Sequence, residues 1–170
     1  VYKARENTSP VISGGEKITG WELFDSQKNI YRTSVDAKSR RQMYINGVRA
    51  IRARTGEMPL PEDDTEIVDS YGYRTTYEEP LNWSKPNNIE FVYSSHWTNS
   101  RCFVDNITKD DDGFVRINML SNVWARVRRN RTNSTNVHYP LYIENSYSFL
   151  DEEGEFYYDK DEKMVYYMPR

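Results

Sequence analysis

Carboxylic acids are the side chains of this sequence that are best placed to do chemistry. Two carboxyl groups about 5–5.5 Å apart, or roughly 6.5–9.5 Å apart, can hydrolyse a glycosidic bond with retention or with inversion. Glu90, Asp105 and Glu144 lie within or beside apolar strands, where burial can raise the pKa of a carboxyl group enough for acid catalysis. A buried carboxylate is more often paired with a nearby arginine, and that interpretation is favoured here.

Two acidic runs, at 110–112 and 159–162, coincide with predicted turns, where aspartate is common for backbone reasons. Neither run has the glycine at the sixth position and the glutamate at the twelfth that an EF-hand loop requires. His96 and His138 are far apart and have no other metal-ligating residues near them in sequence, so a zinc site is not predicted. We therefore expect no metal and no cofactor.

A further group of residues has the chemistry of a sugar-binding site. Indole rings stack on the apolar face of a pyranose, and arginine or histidine can donate hydrogen bonds to its hydroxyl groups. The candidate substrate-binding residues are His96, Trp97, Arg101, Trp124 and Trp83. The alternative, that Trp97 and Trp124 fill the core between two sheets, is favoured because large aromatic rings are usually buried.

Three hairpins with tight turns would have to position these side chains. Asn-Gly and Asp-Gly pairs suit the positive φ angles of a type I′ turn, which twists in step with its flanking strands. The predicted hairpins run from Met43 to Ala53 around Asn46-Gly47, from Phe103 to Leu120 around Asp112-Gly113, and from Phe156 to Met168 around Asp159-Lys160-Asp161.

Other segments complete a mainly β pattern. Strands are predicted at 21–24, 29–34, 89–93 and 96–108, and the sheet is predicted to continue through 124–127. Residues 67–77 are interpreted as a turn with a short strand or helix, and Asn145 as the cap of a short helix that reaches Leu150. Many short strands separated by turns predict an antiparallel β-sandwich or distorted barrel with several hairpins and few short helices.

Length and charge limit the possible partners. At 170 residues the chain is long enough for one domain with a real core, and its net charge is −3 with a pI near 5.5. This balance gives no general affinity for polyanions, so a nucleic-acid partner is not expected. No apolar stretch is long enough to cross a bilayer, and a membrane partner is not expected either.

Four segments resemble one family of enzymes. The opening SPVISGGEKITGWELF resembles a rung of a right-handed parallel β-helix, and RRQMYINGVRAIRAR resembles a segment of large bacterial β-helix glycoside hydrolases. NNIEFVYSSHWTNSRCFV and YIENSYSFLDEEGEFYYDKDEKMVYYMPR are similar to the same enzymes, those in and around glycoside hydrolase family 141. Together the segments cover most of the chain in the expected order.

The resemblance implies a β-domain inserted between early rungs of a parental β-helix. Residues 1–20 would be the rung-like N-terminal segment that leads in from the helix, and residues 21–170 a single antiparallel β-domain. The partner would be the parental β-helix, and the location secreted, periplasmic or at a bacterial cell surface. The family's catalytic carboxylates are expected on the helix, so no catalytic residue is assigned to this chain. One apolar face of the last hairpin would pack on the helix and would be exposed without it.

Three functions therefore remain open. The first is a non-catalytic accessory domain that shapes the substrate cleft or supports the catalytic helix of a polysaccharide-degrading parent enzyme. The second is an independent carbohydrate-binding module, which a row of exposed aromatic rings would favour. The third is a small glycosidase in its own right, with acids such as Glu90 and Glu144 facing one another in a cleft.

Overall fold

Short strands joined by tight turns make up most of the chain, as a computed structural model of it shows. The structure describes residues 3–11, 13–35, 41–94, 99–129 and 139–170. The strands are β1 (Glu22–Asp25), β2 (Ile30–Ser34), β3 (Tyr44–Ile45), β4 (Val48–Arg49), β5 (Ile51–Arg52), β6 (Thr65–Val68), β7 (Gly72–Thr75), β8 (Glu90–Ser94), β9 (Asn99–Lys109), β10 (Val115–Met119), β11 (Tyr142–Glu144), β12 (Glu155–Asp159) and β13 (Met164–Tyr167). Helix α1 spans Ser121–Arg129, and single 3-10 turns lie at Glu79–Asn82, Pro86–Asn88 and Tyr147–Phe149. The prediction of a mainly β fold is confirmed.

All three predicted hairpins are present. Asn46 and Gly47 both have positive φ, at 51° and 80°, as a type I′ turn requires, and they join β3 to β4. The Asp112-Gly113 turn differs, because Gly113 has a positive φ and Asp112 does not. The acidic turn at 110–113 instead closes with a hydrogen bond from the Gly113 amide to the Asp110 carbonyl at 2.9 Å, and it joins β9 to β10.

Two main sheets and one small hairpin sheet organise the fold. The larger sheet has six antiparallel strands in the order β11-β8-β9-β10-β7-β6 and curls into half a barrel. The second has five strands in the order β1-β2-β13-β12-β5, in which β5 pairs with β12 in parallel. A single bridge between Arg54 and Glu144 connects the chain after β5 to the edge of the six-stranded sheet. The two sheets therefore meet at β5 and β11.

The last hairpin alternates between two apolar clusters. Tyr157, Tyr166 and Met168 face the main core, which also contains Tyr73 and Trp124. The other face of the hairpin packs in a second cluster: Phe156, Tyr158, Val165 and Tyr167 with Val35, Met43 and Ala50, and with Ile18, Trp21 and Ile45 at its margin. The chain thus covers both faces of this hairpin with its own residues, which corrects the expectation that one face would be exposed without a parental helix.

The segment 124–127, predicted to continue the sheet, belongs instead to helix α1. Trp124 and Val127 are both buried, and their spacing of three residues puts them on one face of a helix. Residues 67–77 contain the end of β6, a turn and all of β7. The described part of the chain contains no helix that is both long and apolar enough to cross a membrane.

The short helix after β11 begins one residue later than predicted. Ser146, not Asn145, caps the turn at Tyr147–Phe149, and its hydroxyl accepts a hydrogen bond from the Ser148 amide at 3.3 Å. Asn145 has a left-handed φ of 68°, a conformation that asparagine tolerates better than most residues. This conformation aims its side chain inward, between the two sheets.

Candidate functional site

Of the predicted sugar-binding residues, the structure describes Trp83, Arg101 and Trp124, and these three do not lie together at one surface. Trp124 and Trp83 are 2% and 5% exposed and lie in the main core. The Trp124 indole N–H donates to the carbonyl of Asp69 at 3.1 Å, and the Trp83 ring packs edge-on against Phe149. Neither indole offers a free face to a sugar, whereas Arg101 points to a different cluster. His96 and Trp97, like His138, lie outside the described residues.

Two glutamates form the centre of that different cluster. Glu90 begins β8 and Glu144 ends β11, and the antiparallel register of these strands places the two directly opposite each other. Side chains directly opposite in a sheet lie on the same face, about 4.5–5.5 Å apart at Cβ. Glu90 is 1% exposed and Glu144 is 6% exposed. Asp105, the third acid considered, is exposed and contacts Asn106.

A single guanidinium group holds both carboxylates. Nη1 of Arg52, from β5, lies 2.8 Å from Oε1 of Glu90 and 3.0 Å from Oε1 of Glu144. Arg101, from β9, adds a hydrogen bond from Nε to Glu144 at 3.3 Å. Nη1 of Arg41 lies 2.6 Å from Oε2 of Glu90. The two groups form an ion pair, but their relative orientation does not make a hydrogen bond. The favoured interpretation, that buried acids here pair with arginine, is confirmed for both glutamates.

Asn145 fixes this cluster to both sheets. Its side-chain amide donates to the carbonyls of Asn88 at 2.9 Å and Tyr158 at 3.0 Å. Its carbonyl oxygen accepts from the Tyr158 amide at 3.0 Å and from Nε of Arg52 at 3.1 Å. All four hydrogen-bonding positions of the Asn145 side chain are thus used. The Arg52 guanidinium is held by Asn145 at Nε and by the two glutamates at Nη1.

The cluster forms one wall of a basic cleft of about 450 Å³. Arg49 and Arg54 line the cleft together with Arg41, Arg52 and Arg101. The Arg54 guanidinium stacks over the Tyr142 ring, 4.8 Å from its centroid. Five arginines therefore face two carboxylates, which leaves this surface positively charged although the whole chain is negative.

A second depression is aromatic and smaller. Phe24, Tyr147 and Tyr166 surround a pocket of about 190 Å³, and their ring centroids lie 5.2–6.1 Å apart. Lys85 at its rim bonds to Asp159 and Glu162. Burial opposes the charge on Lys85, but these hydrogen bonds outweigh burial and raise its pKa. The pocket is below the 300–1,000 Å³ typical of ligand sites, whereas the arginine cleft lies within that range.

Another buried acid, Glu155, has a perturbed pKa. Burial raises the pKa of its carboxyl group to about 7, and hydrogen bonds from backbone amides partly oppose this effect. Those amides belong to Asp151 and Glu152, each 3.4 Å from Oε2. The carboxyl group therefore closes the turn before β12, and this contact explains its position without catalysis.

Sequence reasoning overlooked the arginine cleft, although part of its signal was visible. In the return strand of the first hairpin, Arg49, Arg52 and Arg54 alternate with small and apolar residues, with one break in the alternation. Such a pattern is typical of a strand that has one polar face. Arg101 could not be added to that set, because it comes from β9, and only the pairing of distant strands brings it to the cleft. Arg41 lies before β3 and outside any strand, so no strand pattern marks it either.

Comparisons with known proteins agree with this fold. A family model described as the GH141 insertion domain matches residues 28–170. Among solved structures, a glycoside hydrolase resembles the chain with a TM-score of 0.63 at 20% sequence identity. That similarity covers 93% of this chain and 29% of the other protein, so the chain spans less than a third of its length. No curated protein sequence matches. Because the family match covers most of the chain, this protein belongs to the GH141 insertion domain family.

Proposed function

We propose that this protein is the non-catalytic accessory domain of a larger, carbohydrate-active glycoside hydrolase. It would border the substrate cleft of its parent and support the catalytic part. The parent would be a right-handed parallel β-helix that degrades polysaccharides outside the cytoplasm of a bacterium. Family membership supports the insertion, and the short share of a glycoside hydrolase that this fold covers supports a larger parent.

The position of Arg52 between the two glutamates is the observation that carries the proposal. A glycosidase needs the anomeric carbon, and in inverting enzymes also a water molecule, in the space between its two carboxyl groups. In this protein Nη1 of Arg52 lies within 3.0 Å of both Glu90 and Glu144 and fills that space. Both acids are engaged by arginine, so the cluster suits a structural or binding role better than acid–base catalysis.

Hydrolysis assays on the 170-residue chain test this proposal. We expect no release of aryl alcohol from aryl glycosides and no new reducing ends from polysaccharides. The variant Glu90→Gln/Glu144→Gln is the matched control for any activity that appears. Turnover by the wild type that disappears in this variant would establish a self-contained glycosidase and overturn the accessory role.

One observation favours the alternative of an independent carbohydrate-binding module. Phe24, at the aromatic pocket, is 44% exposed and so has surface available for a sugar ring. Calorimetry with neutral oligosaccharides, on the wild type and on Phe24→Ala, separates the two ideas. Binding that Phe24→Ala abolishes would favour the binding module, and a complete absence of sugar binding would leave a purely structural role.

A further inference from the structure

We propose that the cleft lined by Arg41, Arg49, Arg52, Arg54 and Arg101 binds the anionic group of an acidic saccharide. The inference rests on the proposed function, in that a saccharide chain must pass this domain. It goes further by naming the chemical class of that saccharide, one that carries carboxylate or sulfate groups. Three features of the cleft support such a ligand: its positive charge, the fixed orientation of its hydrogen-bond donors, and its volume.

Local charge is the first step. Two of the arginines, Arg49 and Arg54, have no ion-pair partner among the described residues of the cleft, whose acids are already held by Arg52 and its neighbours. Guanidinium groups stay protonated at any physiological pH, so the positive charge persists. An anion that enters the cleft therefore meets uncompensated positive charge.

Rigidity is the second step. Arg52 is held by two buried carboxylates and by Asn145, and Arg101 is held by Glu144. The guanidinium of Arg54 lies over the Tyr142 ring, 4.8 Å from its centroid, and this cation–π contact restrains it. Planar forks that are already oriented match carboxylate and sulfate oxygens in pairs, and they lose little side-chain entropy on binding. The donors of the cleft are thus arranged before a ligand arrives.

Size is the third step and favours a saccharide over an acidic protein surface. The cleft holds about 450 Å³, within the range of small-molecule sites. A protein partner of opposite charge would need a broad complementary surface, and it would leave a concavity of this size unfilled or filled with water. A sugar ring that carries its own carboxylate would bring both an anion and an apolar sugar face into the cleft, which Tyr142 also lines.

Calorimetric titration of the 170-residue chain tests the inference. The probes are trigalacturonate, its fully methyl-esterified form, which has the same sugar rings without the charge, and a disaccharide with one sulfate ester. We expect the acid to bind at least about 10-fold more tightly than its ester, because hydrogen bonds to a charged acceptor are stronger than those to a neutral one. Binding should weaken between 50 and 500 mM salt because the cleft is open to solvent.

Two cleft variants and one matched variant provide the controls. Arg54→Gln and Arg49→Gln remove exposed donors that hold neither buried glutamate, and each should weaken binding of the acid about 10-fold or more. Arg116→Gln removes the same charge from an arginine that stacks on a tyrosine outside the cleft, Tyr71, at 3.8 Å. It should leave the affinity unchanged. Thermal unfolding of each variant checks that it is folded.

The possible results are distinct. Preference for trigalacturonate assigns the anion as a carboxylate, and preference for the sulfated disaccharide assigns it as a sulfate ester. The inference is overturned by equal binding of the acid and its ester, by equal losses in Arg54→Gln and Arg116→Gln, or by no binding of any probe, which would point to an acidic protein surface instead. Hydrolysis by the chain would overturn the proposed function and leave the charge preference a separate result.

Discussion

Replacing Arg52 by methionine should destabilise the protein more than most single substitutions do. Arg52 is 9% exposed, and without it Glu90 and Glu144 would face each other on opposite strands with only the more exposed Arg41 and Arg101 nearby. Removing one partner of a buried ion pair costs about 3–5 kcal/mol, because it leaves an uncompensated buried charge. For a domain of this length the loss corresponds to a fall of roughly 6–20 °C in Tm.

Urea unfolding followed by circular dichroism would measure this loss, and a rescue variant identifies its cause. If like charge is responsible, Arg52→Met/Glu90→Gln/Glu144→Gln should recover at least about half of the lost free energy, because neutral amides can share hydrogen bonds with each other. A loss below about 1 kcal/mol in the single variant would refute the reasoning. So would a triple variant no more stable than the single one, since the loss would then come from packing.

Three further perturbations test the rest of the fold. Asn145→Ala should lose about 3–5 kcal/mol in urea unfolding, since four hydrogen bonds disappear, three of them buried; a loss below about 1 kcal/mol would contradict the bridging role. The pKa of Glu155 is raised from 4.5 to about 7, so the folded state binds more protons than the unfolded state between these values. Unfolding free energy should therefore fall by at most about 3 kcal/mol as pH rises from 4.5 through 7, and in Glu155→Gln this fall should be absent. Gly72→Ala would place Cβ 2.4 Å from the Ile117 carbonyl oxygen and should lower Tm far more than Gly47→Ala, whose Cβ would meet open space.

The hairpins were predictable because their signals are local. Asn46-Gly47 specifies its turn from two adjacent residues, and the flanking apolar residues specify the strands. The segment 124–127 was wrongly predicted to be a strand, because its local signal is ambiguous. A short apolar run fits a buried strand or a helix equally well, and only the spacing of Trp124 and Val127 against the core distinguishes them.

The site was much less predictable than the strands. The pairing of buried acids with arginine was expected in general, but which arginines would be involved depends on contacts between distant segments. Arg52 meets Glu144 across 92 residues and Glu90 across 38, through a parallel pairing of β5 that no local pattern indicates. The tryptophans were predicted to bind sugar from their residue type alone. Residue type does not distinguish an aromatic ring in the core from one that binds a ligand.

The energetics of the cluster indicate that it has a role other than stabilising the fold. A buried ion cluster is weak evidence for stability, because well-packed apolar side chains of similar volume often stabilise a fold as well or better. The fold could therefore join its two sheets at Glu144 without arginines. What apolar side chains could not do is hold Arg52 and Arg101 in fixed planes at the wall of an open cleft. Replacing Arg52, Glu90 and Glu144 together by leucine separates the two roles. If the cluster serves to orient Arg101 and Arg52 as donors, that variant should keep its Tm within a few degrees and bind trigalacturonate more weakly than the wild type does, although Arg49 and Arg54 still supply positive charge.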